Sequence, residues 1–352
     1  METLKLIIFA FGYLLIIISL LPLVRLDYWF FRIFEYPRIQ KLVLNAIVLL
    51  AFVSFYQPDT LHALVFTILL AANLCYLIYQ VFPFTPIAPK QVIKTIKHNP
   101  KRSINLFIGN VFQYNRQAEE YIASIKRVDP DVIMLVETDA WWGEQATVFE
   151  NDYPYRLLVP LENTYGMLLY SKLELIDAEV KFLVEDDIPS IHTCIKLPSG
   201  ELIRFHGLHP TPPVPGENPR STERDKEILM VAKSAKKSKL PVIVAGDLND
   251  VAWSYTTLLF TKISGLIDPR RGRGFFNTFH AKYRFMRFPL DHIFCSTQFT
   301  LLDIERQPNC GSDHFPMYIS LQYEPQAAAI QEEPQADADD KEMAEEKINK
   351  PT

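Results

Sequence analysis

Residues 242–250 read Val-Ile-Val-Ala-Gly-Asp-Leu-Asn-Asp, and Pro241 precedes them. The opening run is short, apolar and mostly β-branched, without polar alternation. That is the pattern of a strand covered on both faces. Gly246 and Asp247 end it, where Gly, Asp and Asn in close succession favour a turn. A strand with no solvent face needs a layer above and a layer below, so this stretch predicts sheets covered by helices.

The same signature recurs on either side. Residues 104–108 form an apolar run ending at Gly109-Asn110, and 132–136 form a β-branched run ending at Glu137. Residues 117–128 have helical spacing and stop at Asp129-Pro130. Strand-like runs follow at 166–170, 191–197 and 202–208, then a helix over 219–238 with Ser221 and Thr222 near its start. Runs at 290–295 and 317–321 close the series.

Polar residues gather where these strands end: Asn110, Glu137, His209, Asp247, Asn249, Asp291 and the Asp313-His314 pair. Strand ends on a rigid sheet bring distant residues together. Carboxylates and amides without thiolates make a hard, oxygen-rich site, suited to Mg²⁺ or Mn²⁺ rather than zinc. Each piece alone also reads as a plain turn, cap or strand-end charge. Their order and spacing together do not.

In that order the sequence resembles the endonuclease/exonuclease/phosphatase superfamily of DNase I-like nucleases, sphingomyelinases and inositol-polyphosphate phosphatases. The resemblance covers residues 103–322. VIVAGDLND (242–250), PLDHIF (289–294) and GSDHFP (311–316) carry it, supported by DPDVIMLVET (129–138) and GLHPTPP (207–213). It implies a four-layer α/β sandwich of two packed mixed sheets. It also implies Glu137 as principal metal ligand with Asn110 beside it, Asp313 completing the metal shell, and Asp247 positioning or deprotonating the attacking water. Asn249 would hold a phosphate oxygen, His314 paired with Asp291 would act as acid, base or charge stabiliser, and His209 would serve phosphate or leaving group. Val136 stands where the family often has Gln, His292 follows Asp291, and His209 has no evident carboxylate partner.

The N-terminal quarter is a different material. Residues 6–24 are uncharged and match the roughly 20 residues that cross a bilayer as a helix. With no small-residue cleavage site and two more apolar runs, 42–56 and 61–81, a retained three-span region is expected, with a hairpin turn at residues 57–60. Arg25, Arg32, Arg38 and Lys41 in the first loop, and Lys90, Lys94, Lys97, Lys101 and Arg102 after the third run, place the large domain in the cytoplasm. Tyr28, Trp29, Phe30, Phe31 and Tyr36 suit an interfacial segment of the first loop.

The expected division is therefore a membrane region (1–84), a Pro-bearing linker (85–102), a catalytic domain (103–323) and an acidic tail (324–352). Nine acids and three bases put the tail at −6 against −5 for the whole chain, so the rest nets +1. The body is no nucleic-acid sponge, and the tail reads as disordered. Cys75, Cys194, Cys295 and Cys310 lack paired spacing, which excludes a disulfide framework and a structural zinc site. The expected partners are the lipid bilayer and a phosphoester substrate, with no protein partner. Arg220, Arg224, Arg270, Arg271, Arg273, Lys282, Arg284 and Arg287, interleaved with aromatics, suit a nucleic-acid backbone or an anionic lipid headgroup equally. A non-catalytic membrane scaffold is the remaining reading.

Overall fold

The structure is a computed structural model describing residues 2–56 and 60–352. Helix α1 (Glu2–Leu20) continues as a 3-10 turn to Val24, and α2 (Trp29–Arg32) is a single turn in the first loop. Helices α3 (Arg38–Phe55) and α4 (Leu61–Val81) complete the region. With their 3-10 extensions α1, α3 and α4 run 23, 18 and 24 residues, each long and apolar enough to cross a membrane. Polar side chains tie the three together: Asn73 donates to Asn45 (3.0 Å) and to Ser19 (3.4 Å), and Asn45 donates to the Leu70 carbonyl. Most of the expected hairpin turn, residues 57–59, lies outside the described residues.

Strands β1 (Ser103–Asn110), β2 (Val132–Val136), β3 (Tyr155–Val159) and β4 (Met167–Ser171) belong to a first sheet. Strands β5 (Leu175–Lys181), β6 (Ser190–Lys196), β7 (Leu202–Leu208), β8 (Val242–Asp247) and β9 (Asp291–Cys295) form the second. The chain then returns to the first sheet with β10 (Phe299–Arg306) and β11 (Met317–Tyr323). The strand orders are β10-β11-β1-β2-β4-β3 and β5-β6-β7-β8-β9, with β1/β2 and β7/β8 parallel and the other pairs antiparallel.

Period-two alternation builds the layers. Leu106, Ile108, Met134 and Ile319 of the first sheet meet Phe205, Ile243, Ala245 and Ile293 of the second in the central core. The opposite faces are covered by helices. Phe107, Ile133 and Leu168 pack under α5 (Ala118–Val128) and α6 (Ala140–Gln145), and Val242, Val244 and Phe294 under α7 (Thr222–Lys237) and α8 (Tyr255–Ser264). The expected four-layer sandwich is present. Edge strands β3, β5 and β10 escaped the sequence pattern because they carry exposed charges such as Arg156, Asp177, Glu179 and Arg306.

Two expectations need correction. The tail is not disordered: α9 (Ala338–Asn349), begun by an Asp337–Asp340 capping box, packs Ala344 against α7 and α8. Its charges find opposite partners far along the chain. Lys347 reaches Asp225 (2.7 Å), Lys350 pairs with Asp27, and Asp340 accepts from Lys262. Composition alone does not reveal such pairing. Nor is 85–102 a free linker. Val92 enters the central core, and Ile93 and Thr95 hydrogen-bond Leu301 beside β10.

Candidate active site

Each parallel pair delivers side chains to one end of its sheet. In β1/β2, Asn110 is level with Val136, the residue before Glu137; in β7/β8, Leu208 is level with Gly246. Gly246, at φ 142°, is required there, because a Cβ would lie 1.9 Å from the Leu208 carbonyl oxygen. Asp247 at the end of β8 faces Asp291 at the start of β9. Asp313 and His314 precede β11, beside β1. The two sheets thus pool their polar termini.

The hydrogen bonds are specific. The Asn110 amide nitrogen donates to Glu137 Oε1 (2.6 Å) and to Asp247 Oδ2 (3.0 Å), joining the two sheets. The Asn110 side-chain oxygen accepts from the Phe112 N–H (2.9 Å), so the amide turns its nitrogen, not its oxygen, toward the carboxylates. Asp291 Oδ2 lies 2.8 Å from His314 Nδ1, and Asp247 Oδ2 lies 3.5 Å from His314 Nε2. Asn249 donates through its backbone N–H to Asp247 and through its amide to the Pro210 carbonyl, next to His209. Glu137 and Asn249 both have positive φ, 59° and 50°, a conformation that costs a non-glycine residue energy and occurs often at functional sites.

Electrostatics separate the roles. Burial opposes protonation of His314, but Asp291 and Asp247 outweigh it and hold its pKa up at about 10. Burial would raise Asp247; the charge of His314 prevails and holds it below the usual carboxylate range. Burial pushes Glu137 up to about 7 despite the Asn110 hydrogen bond, with Asp313 and Asp247 nearby adding to the rise. His209 is pressed down to about 4 by burial and is neutral at pH 7. Its ring packs on Tyr165, and its Nδ1 has no hydrogen-bond partner among the described residues.

A buried carboxyl raised by desolvation, with no salt-bridge partner among the described residues, is a fitting ligand for a divalent ion, and Glu137 is such a group. Asp247, Asp291 and His314 also bring ligand-type atoms within 4.8 Å of one another.

Several of the expected substrate-facing cations are instead structural. Arg270 is buried, chelating Asp268 and donating to the Asp291 carbonyl. Arg224 is buried against Asp225 and Asp250, and Arg273 donates to the Val92 carbonyl. Arg220, Lys282 and Arg284 remain exposed. Sequence reading missed the supports. Ser312 and Tyr121 both donate to the Asn110 carbonyl, Thr278 Oγ1 accepts from the Asp291 N–H, and Tyr36 of the helical region donates to the Asn249 carbonyl. A hydroxyl 213 residues away leaves no local signal.

Comparison with known proteins bears on the family and the fold. The profile of the Endonuclease/Exonuclease/phosphatase family matches residues 109–314, more than half of the chain. Among solved structures, D. rerio TDP2 complexed with a single-strand DNA product is similar at TM-score 0.53 and 16% identity, covering 62% of this chain and 99% of that one. The human Nocturnin catalytic domain with bound sulfate is similar at TM-score 0.51 and 16% identity, covering 64% and 96%. An endonuclease/exonuclease/phosphatase from Beutenbergia cavernae gives 0.51 and 14%, covering 64% and 72%. These identities speak for the fold. No curated protein matches the chain.

Proposed function

Because the chain belongs to the endonuclease/exonuclease/phosphatase family, whose members hydrolyse phosphoester bonds with divalent metals, we propose that it is a membrane-anchored phosphoesterase working by water attack with a His–Asp pair. The observation that carries this reading is the hydrogen-bonded set Glu137–Asn110–Asp247 standing beside Asp247–His314–Asp291.

Glu137 and Asp313 would hold the metal, with Asn110 fixing the Glu137 carboxylate in place. When bound, Mg²⁺ or Mn²⁺ neutralises charge on the phosphate and lowers the pKa of water. Asp247, ionised beside His314, orients the attacking water and accepts its proton at a carboxylate oxygen. The Asn249 amide, freed from the Pro210 carbonyl, donates to a phosphate oxygen. His314 presents a proton on Nε2 to the phosphate or leaving oxygen, while Asp291 holds Nδ1. His209, neutral, lends a hydrogen bond to the phosphate or the leaving group.

In this reading residues 1–84 anchor the enzyme through three spans, and the Lys and Arg of the flanks support a cytoplasmic side for residues 103–323. The test is hydrolysis by the purified full-length protein of a chromogenic phosphodiester and monoester with Mg²⁺ or Mn²⁺. Turnover lost on chelation, in Glu137→Ala and in His314→Ala, is expected. Turnover that survives both substitutions overturns the mechanism, and no turnover of either ester favours a scaffold.

A further inference from the structure

The catalytic end of the sandwich, rather than its far end, rests on the helical region. Tyr36 bonds the Asn249 carbonyl (2.8 Å), Trp253 Nε1 donates to the Glu35 carbonyl (2.9 Å), and the Gly272 N–H donates to Pro83 O (2.9 Å). Trp29 N–H donates to Pro219 O, and the Tyr36 ring packs on Phe288. These partners belong to the loops that follow His209, follow Asn249 and precede Asp291. The cleft therefore opens at the level where the spans end.

One loop, residues 279–288, links the two. At its base the Phe279 ring lies 5.0 Å from the His314 ring, and the Ala281 N–H donates to the Asp313 carbonyl (2.6 Å). Near its tip the Phe285 carbonyl accepts from Gln40 Nε2 (2.8 Å), in the first turn of α3. Between these anchors Tyr283, Phe285 and Met286 stand 62%, 88% and 54% exposed, flanked by exposed Lys282 and Arg284. Aromatic and thioether side chains in water beside two cations, at the end of a span, have the composition of a segment seated among anionic headgroups. Arg224, Arg270 and Arg273 are committed to internal partners and are not free to line a track for nucleic acid.

We infer that the tip of loop 279–288 inserts into the headgroup layer of the bilayer spanned by this chain, and that the site takes its phosphoester from an anionic lipid of that leaflet. This inference rests on the membrane-anchored phosphoesterase reading above. The loop's apolar tip would hold the cleft at headgroup depth, and Lys282 and Arg284 would gather anionic lipid beside His314.

The test uses the full-length protein reconstituted in phosphatidylcholine vesicles containing phosphatidylinositol phosphates, phosphatidylglycerol or sphingomyelin, with Mn²⁺. A soluble chromogenic phosphodiester and a single-stranded oligonucleotide are offered in parallel. Wild type is expected to turn over an anionic lipid. The double substitution Phe285→Ala/Met286→Ala is expected to cut that turnover about tenfold or more, the scale set by two lost apolar insertions, and to leave the soluble diester within about twofold. Tryptophan placed at Phe285 is expected to be quenched by headgroup-proximal brominated lipid beyond the wild-type background. Lipid turnover unchanged by the double substitution, absence of that quenching, preference for the zwitterionic lipid, or preference for the oligonucleotide overturns the inference. Soluble diester turned over while every lipid is refused overturns the inference but leaves the phosphoesterase reading standing. Silence on every ester overturns both.

Discussion

The Tyr36 hydroxyl, from the segment between α2 and α3, donates to the main-chain oxygen of Asn249, 2.8 Å away in the catalytic turn. Arg224 Nη1 donates to the same oxygen at 2.7 Å. The carbonyl behind a left-handed, site-forming residue is thus held from both the helical region and the sandwich. Tyr36→Phe removes one donor and leaves the other, so a stability loss of about 1 kcal/mol is expected. Turnover should fall severalfold with little change in KM, measured on the soluble diester. An unchanged kcat would show that the bond only supports the fold.

His314 and Asp291 should behave as one unit. Asp291→Asn and His314→Ala are each expected to lower kcat by about 10²–10⁴, and the double variant should be little worse than His314→Ala. Steady-state kinetics of the three variants decide this. Additive losses would separate the two residues.

Metal binding should be visible without turnover. Mg²⁺ or Mn²⁺ is expected to raise the melting temperature of the wild type, because a ligand that binds only the folded chain stabilises it. The rise should vanish in Glu137→Gln. A rise retained in that variant would move the metal away from Glu137.

Glu227 offers a pH test remote from the catalysis. It is buried, its Oε1 has no hydrogen-bond partner among the described residues, and burial raises its pKa to about 8. The folded chain therefore holds a proton that the unfolded chain releases near pH 4.5. The associated stability is fully present below about pH 4.5 and is lost as pH rises toward about 8. Glu227→Gln should escape that loss, gaining on the order of a few kcal/mol at pH 8 and little at pH 4.5. Thermal melts across that range check the sign.

The tail helix carries its own prediction. Lys347 is buried against Asp225, whose carboxyl is held well below its usual range by Lys347 and Arg224 against the pull of burial. Lys347→Met would leave Asp225 with Arg224 and the Ser221 hydroxyl, so a loss of about 1–3 kcal/mol is expected, short of the ~3–5 kcal/mol for a fully broken buried pair. Chemical denaturation measures it. An unaffected midpoint would mean that α9 is an ornament to the fold.

Local pattern determined much of this protein by itself. Covered strands such as 242–247 and 132–136 are legible because burial on both faces forces an unbroken apolar run, and a polar residue, Asp247 or Glu137, marks where such a run ends. The three long apolar helices are legible for the same reason, since their composition is fixed by what surrounds them. Tertiary structure decided which of the polar residues meet. Asn110 bridging Glu137 to Asp247, and Lys347 folding an acidic tail onto Asp225, are long-range pairings. A charge reads the same in sequence whether it faces water or a partner more than a hundred residues away, and only the packed chain fixes which.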